Sequence, residues 1–155
     1  MTKRVTELSI PPVSLRNGAL QAVDNGEPYG PWAEQFACLH ELQILSGEST
    51  DRASNRLRIG AWNLERGRDW LAASQLIQDQ ALDVVLLSEM DCGMSRSEQF
   101  HTTQKLAEKL GWHGVFAVEF IELELGNAWE LATPTEPENT AGLHGNAIIS
   151  RFPLK

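Results

Sequence analysis

Apolar and polar positions alternate in two different ways along this chain, and the change falls near residue 57. From there on, short apolar runs alternate with amphipathic segments, which is typical of an α/β layer structure. The predicted strands are 57–63, 82–89, 115–121 and 146–152, and the predicted helices are 67–80 and 97–110. The first strand, helix and strand predict a β-α-β unit with two parallel neighbouring strands. We therefore expect an α/β (α+β) fold with a mixed sheet.

The amino-terminal part of the chain has a different pattern. Residues 1–30 are rich in Pro, Gly and Asn without lasting periodicity, which predicts an irregular arm. In the next segment Trp32, Phe36 and Leu39 share one helical face, which predicts a helix over about 31–46, followed by a polar linker. Two regions are expected from this change: residues 1–56 form an amino-terminal extension that contains this helix and linker, and residues 57–155 form the α/β region.

Charge limits the classes of ligand that this chain favours. Thirteen basic and twenty-one acidic residues give a net charge of −8 at pH 7, which opposes binding to duplex nucleic acid and to anionic membranes. Between residues 118 and 138 there is no Lys or Arg, and we interpret the acidic residues of that stretch as a solvated face. They are Glu119, Glu122, Glu124, Glu130, Glu136 and Glu138.

The cysteines and the hydropathy pattern indicate a cellular location. Cys38 and Cys92 show neither a disulfide framework nor the spacing of zinc ligands, so we expect two reduced thiols and a cytoplasmic protein. No stretch approaches the roughly 20 apolar residues of a membrane-spanning helix, and the first residues lack the apolar core of a secretion signal. We expect neither insertion into a membrane nor secretion.

Both strands of the predicted β-α-β unit end in side chains with oxygen atoms. Asn63 closes the first strand, and Glu89 closes the second. Parallel neighbours place their carboxyl ends at one edge of the sheet, where α/β proteins bind ligands. An amide and a carboxylate at that edge suit a hard cation such as Mg²⁺. The alternative is that Asn63 only forms a turn and Glu89 only caps the next one.

Three motifs in order resemble a known family. They are "RIGAWNLERG", "DVVLLSEMD" and "GLHGNAIISRFPL". Together, with a helix between the first two and a long loop before the third, they resemble the amino-terminal half of the endonuclease/exonuclease/phosphatase superfamily. That resemblance implies the first half of a four-layered α/β sandwich and a metal-dependent hydrolase of phosphate esters that uses Mg²⁺ or Mn²⁺.

The resemblance also implies roles for particular residues. The strand-end Asn of the family falls on Asn63, and its metal-binding Glu falls on Glu89, preceded by Ser88 where the family usually has Gln. Asp91 is a candidate for orienting a metal-bound water, with a surface turn as the alternative. Asn146 is expected to support the site structurally.

Three further residues are candidates for contacts to the phosphate. Arg66 and Arg96 would bring positive charge to the site, and the alternative is that both are solvated and paired with nearby carboxylates. His144, in a Gly-flanked segment expected to be a loop, is the histidine placed nearest to a phosphate, and the alternative is an ordinary loop residue.

The segments that carry the general base and the later phosphate ligands in the family are absent from this sequence. We therefore expect the chain to be a truncated or split version that is inactive by itself, or one completed by a second chain or a missing segment. An apolar strand such as 82–87 would then leave one face uncovered. The alternative function is a non-catalytic α/β binding or interaction module.

Overall fold

Six strands form one mixed sheet in the computed structural model, which describes residues 2–53, 55–127, 130 and 136–154. The strands are β1 Lys3–Val5, β2 Glu41–Leu45, β3 Ile59–Arg66, β4 Val84–Cys92, β5 His113–Ile121 and β6 Leu143–Ser150. The helices are α1 Val13–Asp24, α2 Gly30–Ala33, α3 Trp70–Asp79 and α4 Thr102–Leu110. The strand order is β1-β2-β5-β6-β4-β3. The expected α+β class and mixed sheet are confirmed.

The predicted β-α-β unit is present at one side of the sheet. β3 and β4 are parallel neighbours joined through α3, with Ala61 opposite Leu86 and Asn63 opposite Ser88. β4 then pairs antiparallel with β6. The carboxyl ends of β3 and β4 therefore lie at the same edge, as the sequence predicts.

The predicted structure of the amino-terminal region is wrong. Residues 1–30 contain β1 and α1 rather than an irregular arm. The segment 31–46 contains most of the short helix α2, a 3₁₀ turn over Ala37–His40 and β2 rather than one long helix. β2 pairs antiparallel with β5, and β1 pairs parallel with β2. The region expected as an extension thus contributes two strands to the same sheet.

The polarity pattern did not predict strand β2 because the buried residues of β2 are its polar ones. Glu41 and Gln43 are each 6% exposed. The Glu41 carboxylate accepts hydrogen bonds from the backbone N–H and the hydroxyl of Ser9, at 2.7 and 2.8 Å, and Gln43 donates to the Thr6 carbonyl. Leu42, between them, is only partly buried. This inverts the usual relation between polarity and burial, on which a strand prediction depends.

The core lies on the face of the sheet that the helices cover. Ile77 of α3 and Leu106 of α4 are fully buried against Val85, Phe116 and Ile149 of the sheet. Small and branched side chains on the strands allow the two helices to pack closely there. This layer holds β4 and β6 in place, and both strands contribute to the site described below.

The opposite face of the sheet, which we call the open face, is apolar and exposed. Ile59, Leu86 and Ile148 on it are 61%, 44% and 36% exposed. They belong to β3, β4 and β6, and a shallow groove of 420 Å³ runs between Leu86, Ile148 and Val115. The exposure that the sequence predicts for one face of the apolar strand β4 is present.

Neither cysteine forms a disulfide, and both are buried. Burial raises the pKa of the Cys38 thiol to about 11 and that of Cys92 to about 12, so both thiols stay protonated at neutral pH. Among the helices that the structure describes, none has the length and apolar character to cross a bilayer.

Candidate metal and phosphate site

β3 and β4 both depart from regular strand geometry where Asn63 and Glu89 lie. The register between β3 and β4 shifts after Asn63, so that two residues of β3 oppose Glu89 alone. On its other side β4 is also irregular, because Ser88 and Glu89 together oppose Asn146 of β6. Bulges of this kind re-aim side chains and are frequent beside active sites.

The backbone at these bulges is left-handed at residues that are not glycine. Glu65, Arg66 and Glu89 have φ values of 46°, 75° and 57°. Such conformations are disfavoured for residues with a Cβ, and in folded proteins they concentrate at functional sites. The strained residues belong to the two strand ends that the sequence singled out.

Asn63 and Glu89 converge as the sequence predicts, but the amide nitrogen faces the carboxylate. Asn63 Nδ2 donates to Glu89 Oε1 at 2.7 Å, while Asn63 Oδ1 accepts from the backbone N–H of Glu65 at 2.9 Å. The second bond closes an Asx turn, the structural role considered above as the alternative. Asn63 thus forms the turn and also donates a hydrogen bond to Glu89.

Arg66 connects this carboxylate to a second one. Its Nη1 donates to Glu89 Oε2 at 2.6 Å, and its Nε donates to Glu130 Oε1 at 2.8 Å. The Arg66 side chain is 23% exposed, and that of Glu89 is 35% exposed, whereas Glu130 is almost completely buried. Glu89 is thus a water-accessible carboxylate whose two oxygens both accept hydrogen bonds from neighbouring side chains.

A cleft of 460 Å³ opens beside these residues. Besides Asn63, Arg66 and Glu89, it is lined by Glu65, Arg68, Asn127 and Glu130. Its volume is in the range of small-ligand sites, and its lining combines carboxylates with two guanidinium groups. Within the described residues there is no cluster of three or more His, Cys, Asp or Glu side chains that could hold a metal ion.

The surface turn considered as the alternative for Asp91 and the loop expected around His144 are both wrong. Asp91 is not at a surface turn, because it lies within β4 and is fully buried, and His144 is not in a loop, because it lies in β6 and is 2% exposed. His144 Nδ1 contacts Asp91 Oδ1 at 2.7 Å, and since an ionised carboxylate only accepts, the imidazole nitrogen donates. Neither residue reaches the cleft.

Arg96 is buried in the same cluster and is not a solvated residue. It is 4% exposed, and its Nε and Nη2 donate to the two oxygens of Asp91 at 2.8 and 2.9 Å. Its Nη1 donates to Glu130 Oε1 at 2.8 Å. Because Glu130 also accepts from Arg66, a continuous chain of ion pairs leads from Glu89 at the cleft to Asp91 in the interior, where Asp91 also contacts His144.

The pKa directions agree with these contacts. Burial alone would raise the pKa of the Asp91 carboxyl, but hydrogen bonds from Arg96 and His144 outweigh it and hold the pKa below its ordinary value. Burial likewise opposes ionisation of Glu130, yet the Asn127 N–H and the Arg66 guanidinium lower its pKa. Both carboxylates are therefore charged at neutral pH, as their partners require.

The interpretation of residues 118–138 as a solvated acidic face is wrong for Glu130, which is 3% exposed. Of that stretch, residues 128–129 and 131–135 lie outside the described residues. Asn146 is exposed on β6, and its Nδ2 donates to Glu119 Oε2 on the neighbouring β5 at 3.1 Å. This contact between two strands agrees with the structural role expected for Asn146.

Sequence reasoning missed Glu130 as a member of the site and gave Arg68 no role in it. Glu130 lies 64 residues after Arg66 in a segment of many glutamates, so no local spacing distinguishes it. Its signal is the Asn127-x-x-Glu130 pattern, in which each residue accepts a hydrogen bond from the backbone N–H of the other. Such reciprocal caps fix two residues relative to each other, and here they hold the Glu130 carboxylate where two arginines contact it.

Comparisons of the chain with models of known families, with curated proteins and with solved structures find no significant match. The function therefore has to be argued from the site itself.

Proposed function

We propose that this chain is part of a metal-dependent hydrolase of phosphate esters, in which Glu89 holds a divalent cation, Mg²⁺ or Mn²⁺, and Asn63, which donates to Glu89 Oε1, positions that carboxylate. The observation that carries the proposal is the position of Glu89, whose strained bulge aims an accessible carboxylate at Asn63 and into a cleft. The order of the three sequence motifs, which resembles the endonuclease/exonuclease/phosphatase superfamily, supports the same function.

The chemistry of the donor atoms fits a hard cation. Mg²⁺ is commonly bound through one or two carboxylates, with water and substrate phosphate completing its shell. Glu89 offers that carboxylate, and the cation would take the place of the Arg66 guanidinium as the partner of Oε2. A cation bound there would polarise a phosphate ester and stabilise the departing oxygen.

Arg66 and Arg68 supply the positive charge that a phosphate needs. The chain as a whole carries a net charge of −8, so an anionic substrate depends on local attraction. Both arginines line the cleft. A guanidinium group can donate two parallel hydrogen bonds to two oxygens of one phosphate. The same net charge makes duplex nucleic acid the less favoured substrate.

The described cleft lacks the histidine that the resemblance implies as the general base. None of its lining residues is a histidine, and the Asp91–His144 pair is buried. We therefore propose that the chain binds a cation but hydrolyses phosphate esters only slowly by itself, and that a second chain or a further segment supplies the base. The two buried, free cysteines support a cytoplasmic location for this protein.

The test is a calorimetric titration with Mn²⁺ and Mg²⁺, paired with hydrolysis of bis-(p-nitrophenyl) phosphate. Glu89→Gln should weaken cation binding at least about tenfold, which corresponds to about 1.4 kcal/mol. Glu34→Gln, an equal change at an exposed residue beyond α2, is the matched control and should bind as the wild type does. Equal affinity in the two variants would refute the metal site.

The second candidate function, a non-catalytic interaction module, is favoured by the open face. Leu86 and Ile148 are too exposed for an ordinary sheet interior, and contiguous apolar patches often mark protein interfaces. An apolar face is complementary to its own copy, so this function predicts self-association. Sedimentation velocity should show dimers that Ile148→Lys removes, and a strictly monomeric wild type at high concentration would contradict it.

A further inference from the structure

A second cavity, separate from the cleft at Glu89, is lined by a buried arginine. Arg16 lies on the inner side of α1, the side that carries the buried residues Ala19 and Ala22, and is 7% exposed. A cavity of 380 Å³ lies between α1 and two loop segments, 123–126 and 137–139. It shares no lining residue with the cleft at Glu89.

The charge of Arg16 has no counter-ion in the part of the chain that the structure describes. Its Nη1 donates to the backbone carbonyl of Asn139 at 3.0 Å, and its Nε is buried without a hydrogen-bond partner. No carboxylate of the described residues forms an ion pair with it. The residues that the structure does not describe include no Asp or Glu.

A buried guanidinium in this state is costly. A charge removed from water needs a partner of opposite sign and hydrogen bonds for its N–H groups. Nearly all buried polar groups in folded proteins have such partners, and an exception calls for an explanation such as a bound ion or ligand. Arg16 lines the cavity and its charge has no counter-ion among the described residues, which points to an anion that occupies the cavity.

The floor of the cavity is already ordered for binding. Asn139 is buried, its Oδ1 accepts from the backbone N–H of Ser95 at 2.8 Å, and its Nδ2 donates to the Glu124 carbonyl at 2.7 Å. Its own carbonyl fixes one nitrogen of Arg16. The guanidinium is thus held in one place without a carboxylate to neutralise it, which reduces the entropy lost when a ligand binds.

We propose that this cavity binds a small carboxylate ligand through Arg16. The planar guanidinium matches the two oxygens of a carboxylate, and the cavity has the size of a small-molecule site. Glu124 and Glu138, both exposed, also line it, and their negative charges oppose a dianion such as phosphate more than a monoanion. Val13, Leu123 and other apolar residues line the remaining wall.

The experiment follows the Nε–H resonance of Arg16 by NMR while sodium acetate is added at constant ionic strength. Arg16→Lys assigns the resonance, because lysine keeps the charge and removes the Nε–H group. Acetate should shift the Arg16 signal with saturation, and chloride at equal ionic strength should not. Arg4, exposed on β1, is the internal control and should respond weakly and without saturation.

Two results would overturn the proposal. One is a linear acetate response that is equal at Arg16 and Arg4, and the other is a phosphate response at Arg16 that is tighter than the acetate response. The titration uses the wild-type protein, and through-bond NMR experiments on the wild type assign the Arg16 resonance if Arg16→Lys does not fold. It requires no divalent cation, so it is independent of the metal site at Glu89.

Discussion

If Glu89 holds a cation as proposed, Arg66 competes with that cation for the carboxylate, and removal of Arg66 should tighten cation binding. The Arg66 guanidinium holds Glu89 Oε2 at 2.6 Å, the oxygen that a cation would need. Arg66→Met keeps much of the aliphatic stem and its packing while removing the charge. If cation binding must first break this ion pair, the variant starts with a carboxylate that only Asn63 still contacts.

The size of the effect follows from the exposure of the pair. The Arg66 and Glu89 side chains are 23% and 35% exposed. Water screens the attraction in such a pair, so the ion pair stabilises the protein by about 0.2 to 1 kcal/mol. Taking about 1 kcal/mol as the free energy of displacing Arg66, the affinity for Mn²⁺ should rise about fivefold. Loss of the positive charge of Arg66 also removes a repulsion of the cation, which raises the affinity further.

Isothermal titration calorimetry with Mn²⁺ at fixed ionic strength measures this difference. Arg52→Met is the matched control, because Arg52 is exposed in the linker before β3. Its neighbour Asp51 contacts Arg151, just after β6. Arg52→Met changes the net charge equally but leaves the Glu89 contacts unchanged. An affinity in Arg66→Met that is equal to or weaker than that of the control would refute competition between Arg66 and the cation.

Three further predictions concern stability. Arg96→Met leaves the buried Asp91 carboxylate without its guanidinium and should lower the free energy of unfolding in urea by about 3–5 kcal/mol, and a loss under about 1 kcal/mol would contradict this. Burial lowers the pKa of His101 to about 4 from an ordinary 6.5, so the unfolded chain binds that proton first. The stability that neutral His101 contributes is complete above pH 6.5 and is lost as the pH falls toward 4. Urea midpoints across that range should fall more steeply in the wild type than in His101→Gln, and identical profiles would argue against it. Gly145→Ala would place a Cβ 2.0 Å from the Ala117 carbonyl oxygen. The free energy of unfolding should therefore decrease by about 1–3 kcal/mol, which a lower melting temperature would report. An unchanged melting temperature would show that β5 and β6 can move apart at this position.

The local part of the site was open to prediction because chain connectivity determines it. A strand, a helix and a strand in close succession make parallel neighbours, and this places Asn63 and Glu89 at one edge of the sheet. The hydrogen bond between their side chains follows from that placement. That the Asn63 amide turns its nitrogen and not its oxygen toward Glu89 does not follow from that placement. It depends on the backbone N–H of Glu65 in the bulge, which donates to Asn63 Oδ1.

The buried cluster was not open to prediction. Asp91 and His144 are 53 residues apart, and Arg96 and His144 are 48 residues apart. Each residue alone has the polarity of a surface position, so composition and spacing favour exposure. The antiparallel pairing of β4 with β6 sets His144 opposite Asp91, and the chain reversal after β4 returns the Arg96 guanidinium to the same carboxylate and compensates for its loss of hydration.

The sequence by itself therefore determined the α+β class, the β-α-β unit and the meeting of two polar strand ends, because these depend on local periodicity and short connections. The tertiary structure decided which polar residues are buried. Glu41, Gln43, Glu130 and Arg16 have the character of solvated residues, and each is buried by partners or neighbours far along the chain. Burial of a charge is a property of its surroundings in space, and a pattern of polarity along one strand or helix does not contain it.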